Sequence, residues 1–158
     1  MNRIVSFCTV FLLLTSVSFS QKIKVDEIEE VMPIWQNNFK EALKKSKAEK
    51  KPVLIFFTGS DWCKPCKVLD KELFASKEFK NIADNNLILY KADYPSNIDL
   101  ISPETLAINN DLKKKYKVNS FPTLLFVNHK GKVIDYKKGM YLTEYYYPFI
   151  NSVIQKYH

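Results

Sequence analysis

Cys63 and Cys66 stand three positions apart in the stretch FFTGSDWCKPCK, Phe56 to Lys67, directly after an apolar run and a Gly-Ser-Asp-Trp turn. Two thiols at this spacing can supply half of a zinc site, close a structural staple, or form a redox pair that opens and closes. A structural zinc site takes four ligands, usually from two such pairs. The chain otherwise offers His129, in a predicted hairpin turn, and the terminal His158, and neither belongs to a paired-ligand motif. A disulfide framework in an exported chain shows several pairs at scattered spacings. Here the third cysteine, Cys8, lies in an apolar N-terminal run that is expected to be removed, which leaves one close pair.

A redox pair needs one cysteine that ionises more easily than a free thiol of pKa ~8.5. At the start of a helix, Cys63 meets unpaired backbone N–H groups and the positive end of the dipole. Lys64 and Lys67 add positive charge, and Asp61 either opposes it or caps the helix. Pro65 falls in the first turn, where its missing N–H costs little. Cys66, one turn further on, is expected to be less exposed and to resolve a mixed disulfide. Cys63 is therefore the expected nucleophile.

The elements around this pair must hold it in place. Ile28, Val31, Met32, Trp35, Phe39, Ala42 and Leu43 recur at helical spacing, which predicts an amphipathic helix over about 33–50, ended by Pro52. VLIFF (Val53 to Phe57) reads as a strand buried on both faces. The cysteine helix carries Val68, Leu69, Leu73 and Phe74 inward and re-forms after Ser76 through Phe79, Ile82 and Ala83. LILYKAD (Leu87 to Asp93) is the next strand. Ser102-Pro103-Glu104, a cap residue followed by proline, starts a helix running to about Tyr116. TLLFV (Thr123 to Val127) and KVIDY (Lys132 to Tyr136) flank the hairpin signal NHKG. The last helix places Phe149, Ile150, Val153, Ile154 and Tyr157 on one face, beginning near Tyr147 with Thr143 as an alternative cap. Helices alternating with strands, then a hairpin and a helix, predict an α/β layer with a mixed sheet and a parallel crossover between the first two strands.

The N-terminus has a short positive start, an apolar core too brief to span a bilayer comfortably, and small residues at Ser18 and Ser20. It reads as a secretory signal peptide over 1–20, leaving one domain over 21–158 and a periplasmic or secreted location. The net charge is +7, but of the 24 basic residues only Arg3 is arginine. Phosphate and base recognition favour the guanidinium fork, so the lysines read as a solvated surface and no nucleic-acid partner is expected. Trp35 is expected in the core, and Tyr145, Tyr146 and Tyr147 are expected to pack on the sheet rather than form a stacking platform. Gly139 is placed at a bulge or turn near the thiol face.

DWCKPC after a buried strand resembles the active site of the thioredoxin superfamily, and SFPTLLF resembles its cis-proline segment, in which a proline before an edge-forming strand faces the cysteines. The match extends over about 52–157. KPVLIFFTGSDWC, KADYP and FPTLLFVNHKGK are most similar to secreted bacterial thioredoxin-like proteins and to the soluble domain of the membrane electron carrier DsbD. The resemblance implies a thioredoxin-like fold with Cys63 attacking and Cys66 resolving, Trp62 shielding the pair, Pro122 cis, and Phe121 offering backbone to an extended substrate. It implies an extracytoplasmic thiol–disulfide oxidoreductase, foremost a protein-disulfide reductase acting on protein disulfide or dithiol substrates. No cofactor beyond the redox disulfide is expected. The donor is expected to be a DsbD-type membrane carrier, and the chain a monomer. The alternatives are a dithiol oxidase or isomerase using the same site, or a non-catalytic binding module. Three features depart from the family pattern. Lys64 replaces a glycine. Phe57 stands where a buried aspartate assists the second cysteine, leaving Asp93, Asp61 or water for that task. The Tyr94 to Ser102 connection is longer, either a partner-recognition loop or a bland insertion.

Overall fold

The structure is a computed structural model and describes residues 32–157. The predicted signal peptide lies outside the described residues. Five strands form one mixed sheet in the order β1-β3-β2-β4-β5. β2 (Val53–Thr58) is central, parallel to β3 (Ile88–Asp93) and antiparallel to β4 (Thr123–Val127). β5 (Val133–Lys138) pairs antiparallel with β4 on one edge. The proline segment therefore precedes an interior strand rather than an edge strand, because β5 folds back over it.

Every residue of β2 is buried, as its unbroken apolar run requires. Alternation along the strand divides the core in two. Leu54 and Phe56 pack with Cys63, Cys66, Leu69, Phe74 and Phe79. Val53, Ile55 and Phe57 pack with Phe39, Ala42, Leu112 and Val118. Each fully buried Val, Leu, Ile or Phe among them contributes roughly 1.5–3 kcal/mol of burial free energy. Phe57 thus belongs to the core layer that does not contain the thiols.

The leading helix, α1 (Phe39–Glu49), is shorter than the periodicity predicts. Asn38 is extended (φ −138°, ψ 132°), and its side chain accepts from the N–H groups of Lys40 and Glu41, which fixes the helix start there. Trp35 and Gln36 instead form the edge strand β1, parallel to Leu89 and Tyr90. Trp35 reaches the core as expected, edge-on to Phe74 at 5.2 Å. Ile28 and Val31 lie outside the described residues. A periodic apolar pattern cannot say by itself whether its first members join the helix or a sheet edge.

α2 (Lys64–Leu69) widens into a π-helical turn over Asp70–Phe74, and α3 (Lys77–Asn86) restarts behind the Ser76 cap. α4 (Pro103–Lys115) begins at the Ser102 cap with Pro103 in its first turn. It ends in a left-handed turn at Lys117 (φ 53°), where Val118 N–H donates to the Lys113 carbonyl. The hairpin turns on Asn128 to Gly131, with Gly131 at φ 71°. A 3₁₀ turn over Thr143–Tyr145 leads into α5 (Tyr146–Tyr157). Tyr146 is buried and donates to the Gly139 carbonyl, Tyr147 shares a hydrogen bond with Ser76, and Tyr145 faces solvent. No helix among the described residues is long and apolar enough to cross a membrane.

Candidate active site

β2 ends at Thr58, and the chain turns through Gly59 to Trp62 to deliver Cys63 as the cap of α2. Two backbone bonds hold this turn: Cys63 N–H donates to Gly59 O at 2.8 Å, and Lys67 N–H to Cys63 O at 3.1 Å. Cys66 N–H points at Cys63 Sγ, 3.3 Å away. A donor so placed favours a negative sulfur over a neutral one. The two sulfurs are joined as a disulfide. Cys63 retains 4% of its surface and Cys66 none, so the order of exposure follows the expectation.

Trp62 lies half-exposed across the turn. A Cβ on Gly59 would sit 2.4 Å from the indole, so the ring rests directly on the glycine. The indole N–H donates to the Tyr94 carbonyl at 2.8 Å. Phe121 stands between two rings, 5.9 Å from Trp62 and stacked on Tyr94 at 5.1 Å. The Phe121–Pro122 bond is cis, and Gly139 N–H donates to the Pro122 carbonyl. Phe121 and the cysteines pack in one cluster, so Trp62, Cys63, Cys66 and Phe121 are brought together, and Gly139 lies at the predicted turn beside Pro122.

Asp61 does not cap α2. Its carboxylate accepts from the N–H groups of Ser96 and Asn97 at 2.9 and 2.8 Å, and its carbonyl accepts from Lys67 Nζ. The Asn97 and then the Ser96 hydrogen bonds hold its carboxyl below the usual carboxylate range. Asp93 accepts from Ser60 N–H at 2.8 Å and from the Ser60 hydroxyl at 2.5 Å. Both acids named as aids to Cys66 are thus engaged in holding loops. The long connection after β3 contains a short 3₁₀ turn, Ile98–Leu100, whose Ile98 and Leu100 are exposed. It is fastened to the thiol turn at both Asp61 and Trp62.

Sequence reasoning missed the support beneath this loop. Asn109 of α4 is fully buried and accepts from Tyr90 OH at 2.7 Å, while its amide donates to the Asp93 carbonyl at 2.9 Å. Tyr94 OH donates to the Asn109 carbonyl. Burial pushes the Tyr90 phenol up to about 12 and raises that of Tyr94. Asn109 stands three positions from both Leu106 and Leu112, and that spacing is the one local signal that could have flagged it. Among the described residues, no group of three or more His, Cys, Asp or Glu is placed to hold a metal ion.

The chain belongs to the thioredoxin-like domain family, whose profile matches residues 39–154. With the Cys63–Cys66 disulfide in this fold, it is a thiol–disulfide oxidoreductase. It is 35% identical over 113 residues to the disulfide bond reductase DsbH of Chlamydia pneumoniae, covering 68% of this chain and 67% of that one. It is 30% identical over 135 residues to the thioredoxin-related protein DsbJ of the same organism, covering 84% of this chain. The matched part is 37% of that longer relative's length. The solved structure of a DsbH oxidoreductase superposes with a TM-score of 0.73 at 32% identity, covering 78% of this chain and 85% of that one.

Proposed function

We propose that the protein is an exported protein-disulfide reductase. The observation that carries the exchange chemistry, in either direction, is the Cys66 N–H directed at Cys63 Sγ at the head of α2. It favours a thiolate at the more accessible sulfur. The similarity to a relative named disulfide bond reductase supports the direction. Residues 1–20 act as the signal peptide and 21–158 as the working domain in the periplasm or outside the cell.

In the reduced protein, the Cys63 thiolate attacks one sulfur of a client disulfide. A mixed disulfide forms, and the other client sulfur leaves as a thiolate and takes a proton. Cys66, as its thiolate, then attacks Cys63 Sγ. The client's second sulfur leaves reduced, and the Cys63–Cys66 disulfide closes. Two electrons pass from the protein's dithiol to the client. A dithiol on a DsbD-type membrane carrier restores the pair by the same exchange in reverse. Trp62 covers the sulfur pair, and Phe121 and Pro122 present backbone to the extended client segment.

The reduction potential of Cys63–Cys66, measured by equilibration against dithiothreitol or glutathione buffers, tests the direction. A value near or below about −250 mV, close to that of thioredoxin, fits a reductase. A value near DsbA's ~−120 mV makes the protein a dithiol oxidase and reverses the electron flow.

A further inference from the structure

Among the described residues six lysines are ion-paired, and the others, Lys64 and Lys67 beside the thiols included, are not. Lys44, Lys45, Lys51, Lys80, Lys91 and Lys156 each face a carboxylate at 2.5–3.8 Å. Among the described residues, no ion pair engages Lys113, Lys114 or Lys117, at the end of α4 and in the turn after it. These three line an open depression of about 530 Å³ on the segment that leads to Phe121.

Lys113 is the member tied to the thiol site. Its Nζ lies 5.1 Å from the centre of the Tyr94 ring and 5.3 Å from that of Phe121, within cation–π range. Phe121 lies beside Trp62, the residue before Cys63. The ammonium of the exposed Lys113 therefore lies against the stacked Tyr94–Phe121 pair, two aromatic steps from the redox sulfurs. No carboxylate among the described residues forms an ion pair with it. Asp61 is held by Ser96 and Asn97, and Asp93 by Ser60. Asp111 is two positions from Lys113 on α4, a spacing that puts the two on different faces.

We propose that Lys113, backed by Lys114 and Lys117, selects clients by charge. The partner is an extended protein segment carrying an Asp or Glu roughly two to four residues from its reactive cysteine, at about 3.3 Å per extended residue. The carboxylate meets the ammonium while the client's cysteine meets Cys63. This names a substrate class for the site and rests on the oxidoreductase reading above. The ring contacts restrict the Lys113 side chain before the client arrives, which lowers the freedom lost on contact.

The test uses the full chain carrying Cys66→Ser, with Cys63 loaded as its mixed disulfide with glutathione. Three peptides are compared, each with one cysteine and, three residues away, Glu, Gln or Lys. Exchange joins the peptide sulfur to Cys63 and releases glutathione as its thiol, and intact mass reads the extent at equilibrium. The same series on a protein also carrying Lys113→Gln cancels intrinsic differences among the peptide thiols. The expected result is a Glu-over-Gln preference about two- to five-fold larger with Lys113 present, the size of one exposed ion pair, shrinking in high salt. Lys113→Glu should shift the preference to the Lys peptide. Equal preferences with and without Lys113 overturn the proposal and leave the redox reading standing. If no peptide, the neutral one included, joins Cys63, the redox reading fails and the client proposal falls with it.

Discussion

The indole N–H of Trp62 donates to the carbonyl of Tyr94, 32 positions later in the chain, at 2.8 Å. One residue earlier, the Asp61 carboxylate reaches Ser96 and Asn97. The turn that carries the thiols and the loop after β3 are thereby one unit. Movement of either must break charge-assisted or indole hydrogen bonds.

Gly59→Ala separates the placement of Trp62 from the stability of the fold. The added Cβ overlaps the indole at 2.4 Å, but the ring is half-exposed and can swing outward. Stability is expected to fall by only about 1 kcal/mol, the worth of the indole hydrogen bond that the swing breaks. The indole N–H resonance of Trp62 should lose its protection from exchange. Retained protection in the variant would show that the ring does not rest on Gly59 in solution.

Asp61 makes the loop attachment dependent on pH in one direction only. Its pKa is lowered in the folded protein, so the attachment is present above the ordinary carboxylate pKa and is lost as pH falls through the lower folded value. The Ser96 and Asn97 amide resonances should hold steady from neutral pH to about pH 4 and move only below it. In Asp61→Ala both amides should exchange rapidly at every pH, while global unfolding stays near that of the parent. Slow exchange of both amides in that variant would argue against the carboxylate as their acceptor.

Asn109→Ala removes a buried amide that serves Tyr90 and Asp93 at once. The Tyr90 hydroxyl and the Asp93 carbonyl then lose their partners in the interior. A loss of about 2–4 kcal/mol in urea unfolding is expected, against about 1 kcal/mol for Tyr94→Phe, which deletes one hydrogen bond. Similar losses in the two variants would mean that the network is not centred on Asn109.

The buried phenols predict how stability declines in alkali. The Tyr90 pKa is raised from 10.0 to about 12 by burial. Its neutral form is favoured in the fold, so its contribution is fully present below pH 10 and is lost as pH rises toward 12. The Tm should fall from about pH 10 upward, and Tyr90→Phe should lessen that fall. An equal alkaline slope in the variant would place the cause elsewhere.

Exchange chemistry divides between the cysteines as the proposed steps require. Cys63→Ser should reduce disulfide exchange to background. Cys66→Ser should instead accumulate a client mixed disulfide on Cys63 that mass spectrometry can read. Trapping at Cys66 in the Cys63→Ser protein at a comparable rate would exchange the two roles.

What the sequence by itself determined is short in range. The CxxC spacing, the proline in the first turn, the Ser102-Pro103 start of α4, the apolar run of β2 and the hairpin at Asn128 to Gly131 all act within a few residues, where capping, periodicity and turn chemistry operate. The cis bond before Pro122 was expected only from the resemblance of SFPTLLF to the family's proline segment. Tertiary structure decided the rest. Trp35 left the predicted helix for a sheet edge because β3 offered an unpaired partner and Phe74 a packing surface. Asp61 turned from the helix it precedes toward amides 35 and 36 positions away. Phe57 fell in the core layer away from the thiols because alternation along a strand sends neighbouring side chains to opposite faces of the sheet. A hydrogen-bonding or charged side chain accepts whichever partner the fold brings near, and sequence spacing carries no record of which one that is.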